Sequence, residues 1–360
     1  MIDTTRDSAV PSVCLITMGC AKNEVDSAAM ARRLREAGFS VTEEASSADA
    51  IIVNTCGFLE SAKQEAIDSI TSVPETVFIK NGIYKERVEI HKDNITLIGE
   101  NADGTVITNN YYAFMPMEDG SKRGTFRSYT FFVQANHFNA YNITFENSAG
   151  FGKKVGQAIA VYAEGDDLVF KNCHMLGHQD TLFTGPLPMK EKQPGGFVGP
   201  TEFAPRIPGR QLYEDCFISG EVDFIFGSAI CYFKNCELYA LNRNETINSY
   251  YTAPSTYEGQ KYGYVFESCS FSGNCPPRTT MLSRPWRIYA KVVLIRCDLS
   301  EQVSETGFHD WNKPESHETC YYAEYACTGK GYVPEKRPDY VHQLTEREAG
   351  EYTREKVFGR

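Results

Sequence analysis

A degenerate unit recurs through the middle of the chain and restricts its fold more than any other feature. Phe170-Lys171-Asn172-Cys173, Tyr213-Glu214-Asp215-Cys216, Phe233-Lys234-Asn235-Cys236, Phe266-Glu267-Ser268-Cys269 and Leu294-Ile295-Arg296-Cys297 each set an aromatic residue or leucine three positions before a cysteine. Short β-branched and aromatic runs surround these units, as at 76–79, 94–99 and 142–147, and are separated by Gly, Asn and Asp. Strands too short to fold alone, with like residues returning once per unit, are what a parallel β-helix produces. Coil stacks on coil, and equivalent side chains form interior ladders. On this reading the five cysteines face inward as small apolar groups. A disulfide framework or a metal set suits a small secreted chain better than one of 360 residues.

Two apolar runs carry a carboxylate each. Residues 171–183 lead through Gln179-Asp180 into Leu182-Phe183, and Glu221-Val222-Asp223-Phe224-Ile225-Phe226-Gly227 follows. Burying an unpaired carboxylate costs several kcal/mol unless a partner or a raised pKa relieves it. Two such groups point to acid/base or nucleophilic chemistry. Two aspartates at strand ends facing water are the plainer alternative. Between the runs, residues 184–210 are rich in Gly and Pro and read as a long loop beside both carboxylates, a place for a binding surface.

Four motifs fall on four separate repeats: Gln157-Ala158-Ile159-Ala160-Val161, Gln179-Asp180-Thr181-Leu182, Asp223-Phe224-Ile225-Phe226-Gly227 and Leu282-Ser283-Arg284-Pro285-Trp286. Neighbouring coils stand about 4.8 Å apart, so positions distant in sequence can build one compact site. With Gly82-Ile83-Tyr84-Lys85-Glu86, Thr125-Phe126-Arg127-Ser128 and Tyr322-Ala323-Glu324-Tyr325, this set resembles the pectin methylesterases from about Thr76 to the C-terminus. The resemblance implies a right-handed parallel β-helix that hydrolyses galacturonate methyl esters to free carboxylate and methanol. It implies that Asp223 is the nucleophile forming an acyl-enzyme, and that Asp180 is the general acid and then the base. Asp180 would then hold a proton, favoured by apolar surroundings and an ionised Asp223. Arg284 would pair with Asp223 and keep it ionised, Gln157 and Gln179 would stabilise the oxyanion, Trp286 would stack on sugar, and Thr125 would contact substrate. No metal or cofactor is implied. Ser283 stands where the family usually has Gly. Phe308 stands in Gly307-Phe308-His309-Asp310-Trp311 where Trp is common, which would alter one subsite.

The first fifth of the chain has a different texture. A βαβα rhythm reads as a strand at 12–18, a helix at 27–37, strands at 39–42 and 50–55, and a helix at 60–70. Met18-Gly19-Cys20-Ala21-Lys22-Asn23-Glu24-Val25-Asp26-Ser27 and Val53-Asn54-Thr55-Cys56-Gly57-Phe58 resemble the N-terminal domain of radical-SAM methylthiotransferases. Cys20 and Cys56 match two of that domain's three cluster-holding cysteines. The third and the radical-SAM triplet are absent, so no iron–sulfur cluster is expected. Gln64-Glu65-Ala66-Ile67-Asp68 fits both families, with a crossover at the shared helix 64–70. The expected organisation is an α/β segment 1–72, an apparent chimeric remnant, followed by a β-helix domain 73–360. Ile51-Ile52-Val53 would replace the missing first strand. The Glu/Lys/Arg-rich stretch 344–357 is predicted to be a helix covering the end of the stack.

A net charge of −11 argues against a general nucleic-acid or membrane-surface binder, though a local basic cleft for an acidic substrate remains compatible with it. No apolar run reaches a membrane span, and the acidic N-terminus lacks the features of a signal peptide. The sequence as it stands implies a cytoplasmic monomer, whereas the pectin methylesterase resemblance implies secretion. The partner expected is methyl-esterified homogalacturonan. Three other readings are a β-helix enzyme cutting polygalacturonan itself, a non-catalytic carbohydrate-binding or poorly folded fusion, and a radical-SAM methylthiotransferase.

Overall fold

The computed structural model describes residues 12–17, 21–44, 48, 50–54 and 76–359. The expected helix at 60–70, Cys20 and Cys56 lie outside them. Among the described residues three parallel sheets of 13, 8 and 7 strands run side by side along the stack. One coil contributes Leu168–Lys171 to the first sheet, His174–Leu176 to the second and Leu182–Thr184 to the third. The next contributes Arg210–Glu214, Phe217–Gly220 and Val222–Gly227. Equivalent strands pair in parallel, as Phe170 with Tyr213, Met175 with Ile218 and Leu182 with Ile225. The run at 171–183 is therefore two strands with a corner between them.

The repeat unit is the corner between the first and second sheets. Asn172, Asp215, Asn235, Ser268, Arg296 and Ala326 all take left-handed backbone, with φ between 48° and 55°. Asn and Asp tolerate that region better than most residues, which accounts for half of the set. The cysteine that follows turns inward. Cys173, Cys216, Cys236, Cys269 and Cys297 are buried, and Cys327 extends the column by a sixth member. Each thiol points at a carbonyl of the preceding coil, for example Cys236 Sγ to Tyr213 O at 3.3 Å and Cys297 Sγ to Phe266 O at 3.4 Å. The aromatic members stack beside them. Tyr213 lies 4.7 Å from Phe233, and Phe233 lies 4.5 Å from Phe266, with rings within 12° of parallel. Cys327 escapes the sequence pattern because Glu324 stands where the other units carry an aromatic residue or leucine. Glu324 is buried and pairs with buried Arg337 at 2.9 Å.

The N-terminal strands join the same architecture. Ala50–Asn54 pairs in parallel with Thr76–Ile79, placing Ile51 beside Val77 and Ile52 beside Phe78. Ser12–Thr17 pairs with Ala50–Asn54, and Ser40–Thr42 forms the edge. The helix Ala21–Glu36 begins earlier than expected and is tied down by polar contacts. Asn54 Nδ2 donates to Asn23 O at 2.9 Å and to Ser27 Oγ at 2.8 Å.

The C-terminal expectation needs correction. Residues 344–357 form two short helices, Glu346–Ala349 and Arg354–Val357, capped by Thr345 and Thr353. They cover a flank of the stack rather than its end. Val357 and Phe358 pack on Val169, Leu212, Tyr232, Val265 and Val293. Alternate residues of a strand point to opposite faces, and here the outward set of the first sheet is apolar and needs cover.

Burial pushes the Cys173 thiol up to about 12, and the whole column is removed from solvent. Cys173, Cys216, Cys236, Cys269, Cys297 and Cys327 should therefore resist a thiol-specific reagent in the native protein and react once denaturant is added. Thiol titration with peptide mapping checks this, and labelling of the column in the native state would refute the inward ladder.

Candidate active site

The outer face of the third sheet is aromatic. Tyr162, Phe183 and Phe226 point outward from successive strands and cluster with Phe126, Phe132 and Phe197. The loop 185–209 closes over this floor, contributing Leu187 and Phe197. A cavity of about 370 Å³ opens at its edge. All seven residues singled out from the sequence line it: Thr125, Gln157, Gln179, Asp180, Asp223, Arg284 and Trp286.

The two aspartates occupy equivalent positions on adjacent coils. Asp180 N–H donates to Val222 O at 3.0 Å, and two residues further on Leu182 pairs with Ile225. Both aspartates take left-handed backbone, with φ of 65° at Asp180 and 51° at Asp223. At Asp223 the pairing with the next strand also shifts register between Val222 and Ile225. Such a bulge re-aims a side chain out of the pleat, here toward the cavity.

Arg284 reaches Asp223 with a forked bond, Nε to Oδ1 at 2.7 Å and Nη2 to Oδ2 at 2.6 Å. Its guanidinium is held between two rings, with Tyr250 and Trp311 each 3.8 Å away. A planar cation between π-faces loses water and rotational freedom at once, which stiffens the ion pair. Neither ring was identified from sequence as serving the site. Trp311 lay in a stretch where attention fell on Phe308. Phe308 is in fact buried, stacks 4.8 Å from Tyr322, and does not line the cavity. The expectation of an altered subsite there is corrected.

Burial, then the neighbouring Asp223 carboxylate, push Asp180 well above the usual carboxylate range, with Arg284 opposing. Burial also raises Asp223, although the charge and forked bond of Arg284 pull the other way. The pairing of Arg284 with Asp223 expected from the sequence is present, and it opposes the larger effect of burial. Asp180, without a guanidinium of its own, is the carboxyl more disposed to hold a proton. Nearby, Lys192, Arg287 and Lys313 gather around Trp286, and no carboxylate of the described residues lies within 4 Å of their charged groups. Burial, with repulsion from Lys192, Arg287 and Arg284, lowers Lys313 to about 8.

Paired carboxyls, a clamped guanidinium and two glutamine amides thus share one cleft of a β-helix, a set suited to cleaving a carboxylic ester. Comparison with known proteins agrees. The profile of the family described as Pectinesterase matches residues 22–187 and 207–359, and the chain belongs to that family. Putative pectinesterase 14 of Arabidopsis thaliana is 31% identical over 312 residues, covering 84% of each chain. Pectinesterase 31 of the same plant is 31% identical over 299 residues, 80% of this chain and 85% of that protein. Pectin methylesterase PemA from Erwinia chrysanthemi superimposes with a TM-score of 0.68 at 28% identity, covering 86% of this chain and 97% of that one. The carrot pectin methylesterase gives 0.67 at 27% identity, covering 85% and 89%. Against some longer relatives the chain spans about half the length, as with 47% of the Arabidopsis thaliana protein named probable pectinesterase/pectinesterase inhibitor 64. The family match begins at residue 22, well inside the N-terminal segment expected to be a separate unit, and it skips residues 188–206. That skipped stretch supplies Lys192, Gln193, Gly196 and Phe197 to the cavity wall.

The raised Asp180 carries a stability consequence. A carboxyl with an elevated folded-state pKa favours folding most below its unfolded value, near 4, and loses that contribution as pH rises through the folded value. Asp180→Asn removes the buried charge, so it should raise the melting temperature at neutral or higher pH and change it little in acid. Melting curves across pH check this; a uniform or opposite shift would contradict the burial argument.

Proposed function

We propose that this protein hydrolyses methyl esters of polygalacturonate to pectate and methanol, with Asp223 as nucleophile. The observation that carries the reading is the forked Asp223–Arg284 pair lying in one cavity with Asp180 and two glutamine amides. An Asp223 oxygen attacks the ester carbonyl carbon, and the carbonyl electrons move to an oxyanion that accepts N–H bonds from Gln157 and Gln179. The carbon–methoxy bond then breaks as Asp180 gives its proton to the departing methanol. Asp180, now a carboxylate, takes a proton from water as the water attacks the anhydride. This frees the galacturonate acid and restores both aspartates. Arg284 supports the departing and returning charge on Asp223. Thr125 and Trp286 contact the sugar.

Pectin methylesterases solved in complex with hexasaccharides support a saccharide-chain substrate. Lys192, Arg287 and Lys313 suit the anionic neighbours of the reacting sugar in a chain whose net charge is −11. The protein acts as a monomer, and polymeric pectin as substrate favours work outside the cytoplasm, against the expectation from the N-terminal sequence. The strands Ser12–Thr17, Ser40–Thr42 and Ala50–Asn54 serve the rest of the protein as an extension of the first sheet. Parallel pairing of Ala50–Asn54 with Thr76–Ile79 supports that role, whatever origin the methylthiotransferase likeness records. Among the described residues no helix is long and apolar enough to cross a membrane.

Incubation with methylated pectin should release methanol without new reducing ends; the reverse outcome would mark a chain-cutting enzyme. Asp223→Ala should abolish release, and Gln157→Ala or Gln179→Ala should each lower kcat roughly 10²- to 10³-fold. The chain has two tryptophans, Trp286 and Trp311, and both line the cavity. Adding pectate oligosaccharides should therefore shift intrinsic fluorescence in a saturable way, and Trp286→Phe should weaken binding. An unchanged spectrum at saturating oligosaccharide would place the sugar elsewhere.

A further inference from the structure

One buried carboxylate has no part in the chemistry above. Glu221, two residues before Asp223, is fully buried. Its Oε1 accepts the backbone N–H of Gly152 at 2.5 Å. Its Oε2 lies 3.6 Å from Nδ1 of His178, and neither of these two atoms has another hydrogen-bond partner. Burying a carboxylate is costly, and an unmet acceptor facing an unmet ring nitrogen marks a contact that a small rotation completes. The Glu221 backbone is itself fixed. Its N–H donates to His178 O at 2.8 Å, and its carbonyl accepts from Tyr250 N–H at 3.1 Å and from Ser249 Oγ.

Both groups that meet the Glu221 carboxylate adjoin a segment carrying a glutamine. His178 directly precedes Gln179. Gly152 opens the short helix Gly152–Val155, which ends two residues before Gln157. That helix sits on Gln179 so closely that a Cβ at Gly152 would stand 2.5 Å from Gln179 Oε1 and 2.8 Å from Glu221 Oε1. Ala158 N–H donates to Gln179 O at 3.0 Å, and the Phe151 ring packs 4.5 Å from the His178 imidazole. Glu221 and His178 thus meet the segments that carry both amides, and neither lines the cavity wall.

We propose that Glu221 and His178 form a positioning pair that holds the Gln157 and Gln179 amides in register with each other. The proposal rests on reading those amides as oxyanion donors. Without Glu221 the helix loses its tie to the coil that carries Asp223, and the two donors cease to converge. A displacement of about 1 Å at a reacting centre costs up to roughly 10²-fold in rate.

The test is methanol release by Glu221→Ala, Glu221→Gln, His178→Phe and Gln179→Ala, with Glu221→Ala also combined with Gln179→Ala. Glu221→Ala should lower kcat roughly 10- to 10²-fold at nearly unchanged KM. Glu221→Gln keeps an acceptor for Gly152 N–H and should recover most of that loss. His178→Phe keeps a ring against Phe151 but removes Nδ1, and should show a smaller fall. In the Gln179→Ala background the Glu221→Ala loss should shrink, because one donor it aligns is gone. Losses that multiply in full, wild-type kcat in His178→Phe, or a defect confined to melting temperature and folded yield would each overturn the pair. Side-chain amide NMR signals of Gln157 and Gln179 read the same alignment without turnover. Glu221→Ala should shift or broaden both and Glu221→Gln should restore them. Unmoved signals overturn the pair, while an inactive wild-type protein with responsive signals overturns only the esterase reading.

Discussion

A left-handed residue at the same corner of successive coils is the constraint on which the rest of the structure depends. It turns the chain from the first sheet into the second at Asn172, Asp215, Asn235, Ser268, Arg296 and Ala326. Because the corner recurs at the same place, strands of two to six residues fall into register with those of the coil before. Short strands have little stability alone and acquire it from neighbours above and below. The interior columns of thiols and stacked rings follow from that registry. So does the site: Asp180 and Asp223 are left-handed too, on adjacent coils, and a bulge frees the second from the pleat.

The chemistry comes from placing charges where the fold would otherwise put aromatic rings. The outer face of the third sheet is lined by Phe126, Phe132, Tyr162, Phe183 and Phe226. Enclosure there raises both aspartates, and the single guanidinium divides them. Arg284 spends its fork on Asp223 and its two faces on Tyr250 and Trp311. The result is two carboxyls of one type with unequal hold on a proton, which acid–base exchange during ester cleavage requires. The difference arises from which carboxyl the arginine can reach, not from sequence surroundings, since both aspartates sit in similarly apolar runs.

Much of this was legible in the chain. An aromatic residue three positions before a cysteine repeats because both belong to one coil, so the β-helix could be read from it. The seven residues marked by their motifs meet in one cavity. What escaped were properties that arise between coils. Tyr250 belongs to no motif and matters only because it lies against Arg284. Trp311 stood three residues from Phe308, and sequence gave no means to tell which ring faces inward. Glu221 opens an apolar run, and nothing local marks its carboxylate as reaching back to Gly152, far off in sequence. The stretch 344–357 has helical composition, but Gly350 and the apolar flank of the first sheet break it into two turns.

Floor and wall of the cleft come from different kinds of chain. The floor belongs to the coils, where a substitution must satisfy strands above and below. Much of the wall is residues 188–206, the stretch the family profile passes over. A surface connection of this kind changes length at little cost, since each doubling adds only about 0.6 kcal/mol of closure entropy. The ground around Trp286 can therefore change length without disturbing the coils that hold Asp180 and Asp223. Tolerance to insertion thus sits on one side of the cleft and strict stacking on the other.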